Sequence, residues 1–136
     1  MKSKKIFLIL LILITPLPGL EAKVQTLRVA VVQMESKNGN IIFTLNPAPE
    51  FINHAAATGA ELTLRPELLS TGYIFSAAIW DAADSKHGPT EKWMKSSTAR
   101  LGVWLGTSYL EADGEDFFNT FVLSAPNGKI AGRVRK

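Results

Sequence analysis

From residue 27 the apolar positions run almost unbroken through "LRVAVVQM", a β-branched stretch without alternation. That pattern predicts a strand buried on both faces. "ESKNGN" then reads as a loop. In "PAPEFINHAAATGA" the period changes: Phe51, Ile52, Ala55 and Ala56 fall at helical spacing. Pro47 or Pro49 can occupy the first turn of that helix, and Gly59 ends it. "ELTLR" is a second strand. Residues 90–101 predict a second helix, with Pro89 near its start and Gly102 just past its end. Trp93, Ser97 and Leu101 share one of its faces, with Met94 beside them. "VWLGTSYLEA", "FFNTFVLSA" and "KIAGRVRK" are three further strands, joined by the hairpin segments "DGED" and "PNGK". The predicted order is β-α-β-α-β-β-β, an α/β chain with an antiparallel extension.

The N-terminus departs from this pattern. "MKSKK" is basic, "IFLILLILI" is purely apolar, and Thr15, Pro16 and Pro18 break the run before Ala22. Residues 1–22 therefore read as a secretory signal peptide, and the protein is expected to be exported. The apolar run falls short of the roughly 18–20 residues needed to span a bilayer; the alternative is a retained N-terminal membrane anchor. The leader also changes the meaning of the charge. The 136 residues carry a formal charge of +3, but removing Lys2, Lys4, Lys5 and Glu21 leaves 12 basic and 11 acidic residues. A nearly neutral domain over residues 23–136 gives no argument for nucleic acid. The chain has no cysteine, which excludes disulfides, thiolate metal sites and a cysteine nucleophile within it. "IAGRVRK" stops inside a strand pattern, and the expectation is of a domain that continues past Lys136.

Among candidate chemical groups, GxSxG, P-loop, GxGxxG and HExxH patterns are absent. His54 and His87 stand alone and read as surface or satisfied histidines. Trp80, Trp93 and Trp104 read as core or pocket walls. Asn119, set mid-strand between Phe118 and Thr120, needs a hydrogen-bond partner and reads as structural. Glu67 has a more specific setting. Pro66 stiffens the strand exit, and Gly72 permits a turn that returns Tyr73 toward the carboxylate. A glutamate fixed at the carboxyl end of a strand can serve as a general base.

At this point the residues resemble a family. "GAELTLRPELLSTGY" is similar to the first signature of the carbon–nitrogen hydrolase (nitrilase/amidase) superfamily, where a helix ending in Gly-Ala leads to a strand, Pro-Glu and a Thr-Gly-Tyr turn. "LRVAVVQM" resembles the opening strand. "LGTSYLEADGEDFFNTFVLSAPNGKIAGRVRK" resembles the hairpin and the strand closing in Arg-Lys. Together these span residues 27–136. Arg65, where the family usually has an apolar residue, departs from the pattern and could alter the pocket or pair with a carboxylate. Val134 stands in place of an aromatic residue.

The resemblance implies the N-terminal half of an α-β-β-α sandwich. It implies a Glu-Lys-Cys triad that splits a small-molecule amide or nitrile C–N bond without metal or organic cofactor, in a protein that oligomerises when complete. By position Glu67 matches the general base, Lys136 the oxyanion-stabilising lysine, and Glu111 a second glutamate holding the lysine and substrate. The cysteine lies beyond this chain. Glu67 and Lys136 should then converge to on the order of 3–6 Å, with Glu111 approaching Lys136 and with Tyr73 and apolar walls keeping water out. The rival readings are an acyltransferase of the same superfamily and a non-catalytic exported binding or structural protein.

Overall fold

The computed structural model describes residues 26–46 and 48–136. Residues 1–25, which include the expected signal peptide, and Pro47 lie outside the described residues. The elements are β1 (Val29–Val31), α1 (Ile41–Leu45), α2 (Ala48–Ala57), β2 (Leu62–Leu64), α3 (Ala78–Asp81), β3 (Asp84–Ser85), α4 (Pro89–Leu101), β4 (Trp104–Asp113), β5 (Asp116–Ser124) and β6 (Ile130–Arg135). The predicted helices and strands are all present. α1, α3 and β3 are additions, each too short to show a period in the sequence.

One mixed sheet runs in the order β1-β2-β4-β5-β6, with β3 pairing the far end of β4. β1, β2 and β4 are parallel, and β5 and β6 continue antiparallel through two hairpins. Both hairpin turns carry the expected glycine at positive φ, Gly114 and Gly128. α4 starts at Pro89, and the Asp84 carboxylate accepts its Thr90 N–H at 2.8 Å. The helix ends on Gly102 in the left-handed region.

The sheet's two faces differ. Alternation sends Thr63, Leu105, Thr107, Tyr109, Glu111, Thr120 and Val122 toward the helices. There Ile52, Met94, Val103, Leu105, Tyr109 and Val122 form the buried core. The other face carries Val29, Val31, Leu62, Leu64, Phe121 and Val134, and much of it is open: Val31 is 78% and Val134 65% exposed. The expectation that the first strand is buried on both faces is thus corrected. Only the side bearing Ala30 turns toward the helices; Val29 and Val31 look onto the open face. Gly106 sits under that face because a Cβ there would lie 2.8 Å from the Phe121 ring and 2.9 Å from Leu64.

Candidate active site

β2 ends in the open face, and the chain turns sharply at Pro66 and Glu67. Leu68 takes φ 48, a conformation a bulky residue rarely adopts. Ser108 on β4 holds the turn at two points. Its Oγ accepts the Leu68 N–H and its carbonyl accepts the Leu69 N–H, both at 2.9 Å. The loop then doubles back through Gly72, where φ is 66 and a Cβ would strike the Asn38 side chain. Tyr73 is thereby returned to Glu67, as the Thr-Gly-Tyr turn predicted.

Glu67 is the hub of the site. Its Oε2 accepts from Tyr73 Oη at 2.5 Å, and its Oε1 from Asn119 Nδ2 at 2.5 Å and Lys136 Nζ at 2.9 Å. Two residues 69 positions apart in sequence therefore meet directly. They meet because the β5–β6 ladder extends to Asn119 and Lys136, which exchange backbone bonds of 3.1 and 3.2 Å. Asn119, read from the sequence as structural, faces the carboxylate. Its partner is the candidate base itself. The hydrogen bonds from Tyr73, Lys136 and Asn119, in that order, hold the Glu67 carboxyl down at about 2. The same contact pushes the Tyr73 phenol up. Glu67 stands between two clefts, of about 330 Å³ toward Phe121 and Val134 and about 340 Å³ toward Gln33 and Asn38.

Three expectations need correction. Glu111 does not approach Lys136. Leu110 is the residue of β4 opposite Asn119, and Glu111, one position on, points to the helix side. There its buried carboxylate accepts from Thr120, Arg133 and Arg135. Burial alone would raise its pKa, but these donors and charges leave it lowered. Of the two alternatives for Arg65, pairing with a carboxylate is not seen among the described residues: it donates to the Ala48 carbonyl and the Met34 sulfur, while it does line the cleft that holds Glu67 and Lys136. Nor is water kept out among the described residues. The side chains of Glu67 and Lys136 are 43% and 77% exposed, and Tyr73 is half exposed.

His54 is exposed in α2, and His87 bonds Glu91 at 3.1 Å, on the helix side of β4 where Glu91 accepts from Tyr109. Trp80 stacks at 4.7 Å on Phe117 and remains half exposed, while Trp93 is partly buried against the core. Among the described residues, no group of three or more His, Cys, Asp or Glu side chains could hold a metal ion.

Comparison with known proteins bears on this arrangement. The carbon-nitrogen hydrolase family model matches residues 28–136. A nitrilase of Pyrococcus abyssi is 30% identical over 112 residues, covering 80% of this chain and 42% of that protein. A citrullinase of Francisella tularensis is 32% identical over 114 residues, covering 81% of this chain and 40% of that protein. A carbon-nitrogen hydrolase from Helicobacter pylori G27, known from its crystal structure, superposes with a TM-score of 0.72 at 19% identity, over 81% of this chain and 39% of that one. The chain thus spans about two fifths of the relatives it matches.

Proposed function

The chain belongs to the carbon–nitrogen hydrolase family, and on that premise we propose that it supplies the base and the oxyanion-stabilising cation of a hydrolase acting on non-peptide C–N bonds. The substrate class is a small amide or nitrile. The observation that carries the reading is the direct contact of Glu67 and Lys136 at 2.9 Å, across 69 residues, at the mouth of two clefts.

In this scheme the nucleophile is a cysteine thiol from a segment outside these residues. The thiol proton passes to a Glu67 oxygen as sulfur attacks the amide carbon. The negative charge formed on the carbonyl oxygen is met by the Lys136 ammonium. Glu67 returns the proton to the departing ammonia, leaving a thioester. Glu67 then takes a proton from water, whose hydroxide releases the carboxylic acid and the thiol. A carboxyl held at about 2 is a weak base. Covering the open face would change that, because desolvation disfavours the carboxylate and raises its proton affinity. Tyr73 and Asn119 keep the carboxylate oriented while that happens. We further propose export through the leader and self-association of the complete protein.

The test is ammonia release from a panel of short amides and nitriles by the protein expressed from its complete reading frame. Lys136→Met should lower kcat by about 100- to 1,000-fold, the loss typical of one oxyanion donor, and Glu67→Gln should lower it at least as far. Absence of turnover across the panel, or a Lys136→Met protein with parental kcat, sinks the reading.

A further inference from the structure

Glu111 lies on the wrong face to touch Lys136, yet its surroundings suit another task. Among the described residues β6 has one strand neighbour, β5, so its last residues are laddered on one side only. Strand ends of that kind open most readily. The Lys136 side chain is largely solvent-exposed, so apart from its bond to Glu67 Oε1 little packing fixes the ammonium. The direction in which the side chain leaves the chain comes from the backbone at the end of β6.

Behind the sheet, Glu111 has no exposed surface and reaches from β4 past β5 to β6. Arg135 Nη2 donates to its Oε1 at 2.7 Å. Arg135 Nε and Arg133 Nη1 each donate to its Oε2 at 3.3 Å. Thr120 on the intervening strand donates to Oε2 at 2.6 Å. One buried carboxylate thus ties three strands together. The Glu111 end of these bonds is buried while the Arg135 side chain is one third exposed, and charge-assisted bonds are stronger than neutral ladder bonds. Asp113 at 2.8 Å and the Phe118 ring at 4.4 Å flank Arg135 further. Since neighbouring residues of a strand point to opposite faces, fixing Arg135 behind the sheet fixes the direction of Lys136 in front.

We propose that Glu111 is a positioning residue for Lys136, acting through Arg135 from the opposite face of the sheet. The proposal rests on the reading of Lys136 as the oxyanion-stabilising lysine. Glu111 holds the lysine through the backbone rather than by contact.

The experiment follows the Glu67 side-chain carboxyl by carbon-13 NMR in the protein expressed from its complete reading frame, together with kcat and KM. Arg135→Met cuts the link while leaving Glu111 bonded to Arg133 and Thr120. It should raise the Glu67 titration midpoint by about one pH unit as the lysine drifts away. It should also lower kcat about tenfold, with KM changed less than about twofold. Arg135→Lys, which can still reach Glu111, should recover most of both. Glu111→Gln should match Arg135→Met, but it leaves two cations short of a partner, so Arg135→Met decides. An unchanged midpoint and kcat in a folded Arg135→Met protein overturns the proposal. So does a loss in Arg135→Lys as deep as in Arg135→Met. A Lys136→Met protein with parental kcat would defeat the functional reading instead, while the Glu67 midpoint would still report on the link.

Discussion

Replacing Arg65 by methionine should make this protein more stable. Arg65 is only 7% exposed, and burial pulls its guanidinium down to about 10 from an ordinary 12.5. At about 1.4 kcal/mol per tenfold change, that depression corresponds to about 3 kcal/mol against the charged form at neutral pH. The contacts that offset this are modest. Nη1 donates at 3.1 Å to the carbonyl of Ala48, in the first turn of α2, which keeps its helical partner without the arginine, and Nη2 donates to the Met34 sulfur, a weak acceptor. The guanidinium carbon lies 5.3 Å from the Trp93 ring centre, worth about 0.5–2 kcal/mol. Nε has no partner among the described residues. Methionine is apolar, unbranched and of similar length, so it can follow the same path without the charge. A net gain of about 1–2 kcal/mol follows, in line with other buried ions replaced by apolar groups.

The assay is urea unfolding of parent and Arg65→Met at several pH values. The sign is fixed by linkage. Arg65 is a base whose folded pKa lies below its unfolded one, so its penalty is complete below about pH 10 and relieved as pH rises from about 10 toward 12.5. The advantage of Arg65→Met should therefore be full at pH 7 and shrink above pH 10. A variant less stable than the parent by more than about 1 kcal/mol at pH 7 refutes the reasoning. An advantage that does not change with pH would show that the gain comes from packing, not from the charge.

Three further outcomes are expected. The bonds from Tyr73, Lys136 and Asn119 lower the Glu67 pKa, so their stabilisation is complete above about pH 4.5 and lost as pH falls toward about 2; Tyr73→Phe, removing the largest contributor, should raise the midpoint seen by carbon-13 titration. Gly106→Ala places a methyl against Phe121 and Leu64 and should cost about 1–3 kcal/mol in a thermal or urea melt; a loss too small to detect would show that Phe121 swings aside freely. Expressed with its leader, the protein should be exported lacking roughly 19–22 residues, and an N-terminal sequence still beginning at Met1 in the cytoplasm would contradict this.

How much of the site could be read in advance depended on parity along the strands. The return of Tyr73 to Glu67 was legible because Pro66 and Gly72 fix local geometry by residue type, whereas Lys136 was legible only through the resemblance of the closing Arg-Lys to the family's motif. α1, α3 and β3 were not, since four or five residues at most carry no period. Glu111 is matched to the second glutamate by position along the chain, and position alone does not say which face of the sheet a residue occupies. The "DGED" turn sets Asp113 opposite Asp116, and counting back pairs Leu110 with Asn119 and Glu111 with Phe118. The next hairpin sets Ser124 opposite Ile130, a count that would bring Asn119 level with Arg135; a register shift at Leu123/Ser124 moves the pairing by one, so Thr120 pairs with Arg135 and Asn119 comes level with Lys136. The first turn, readable in the sequence, puts Asn119 and Glu111 on opposite faces; the register shift in the second hairpin, which the apolar pattern does not announce, puts Lys136 with Asn119 and Arg133 and Arg135 with Glu111. The same parity bears on chemistry. Arg133 and Arg135 sit one residue on either side of Val134 in the cleft wall, yet their guanidinium groups are committed to Glu91, Glu111 and Asp113 behind the sheet. Of Arg133, Arg135 and Lys136, Lys136 lines the cleft with its charge uncommitted behind the sheet, and in the proposed reaction it is the one that meets a substrate's developing negative charge.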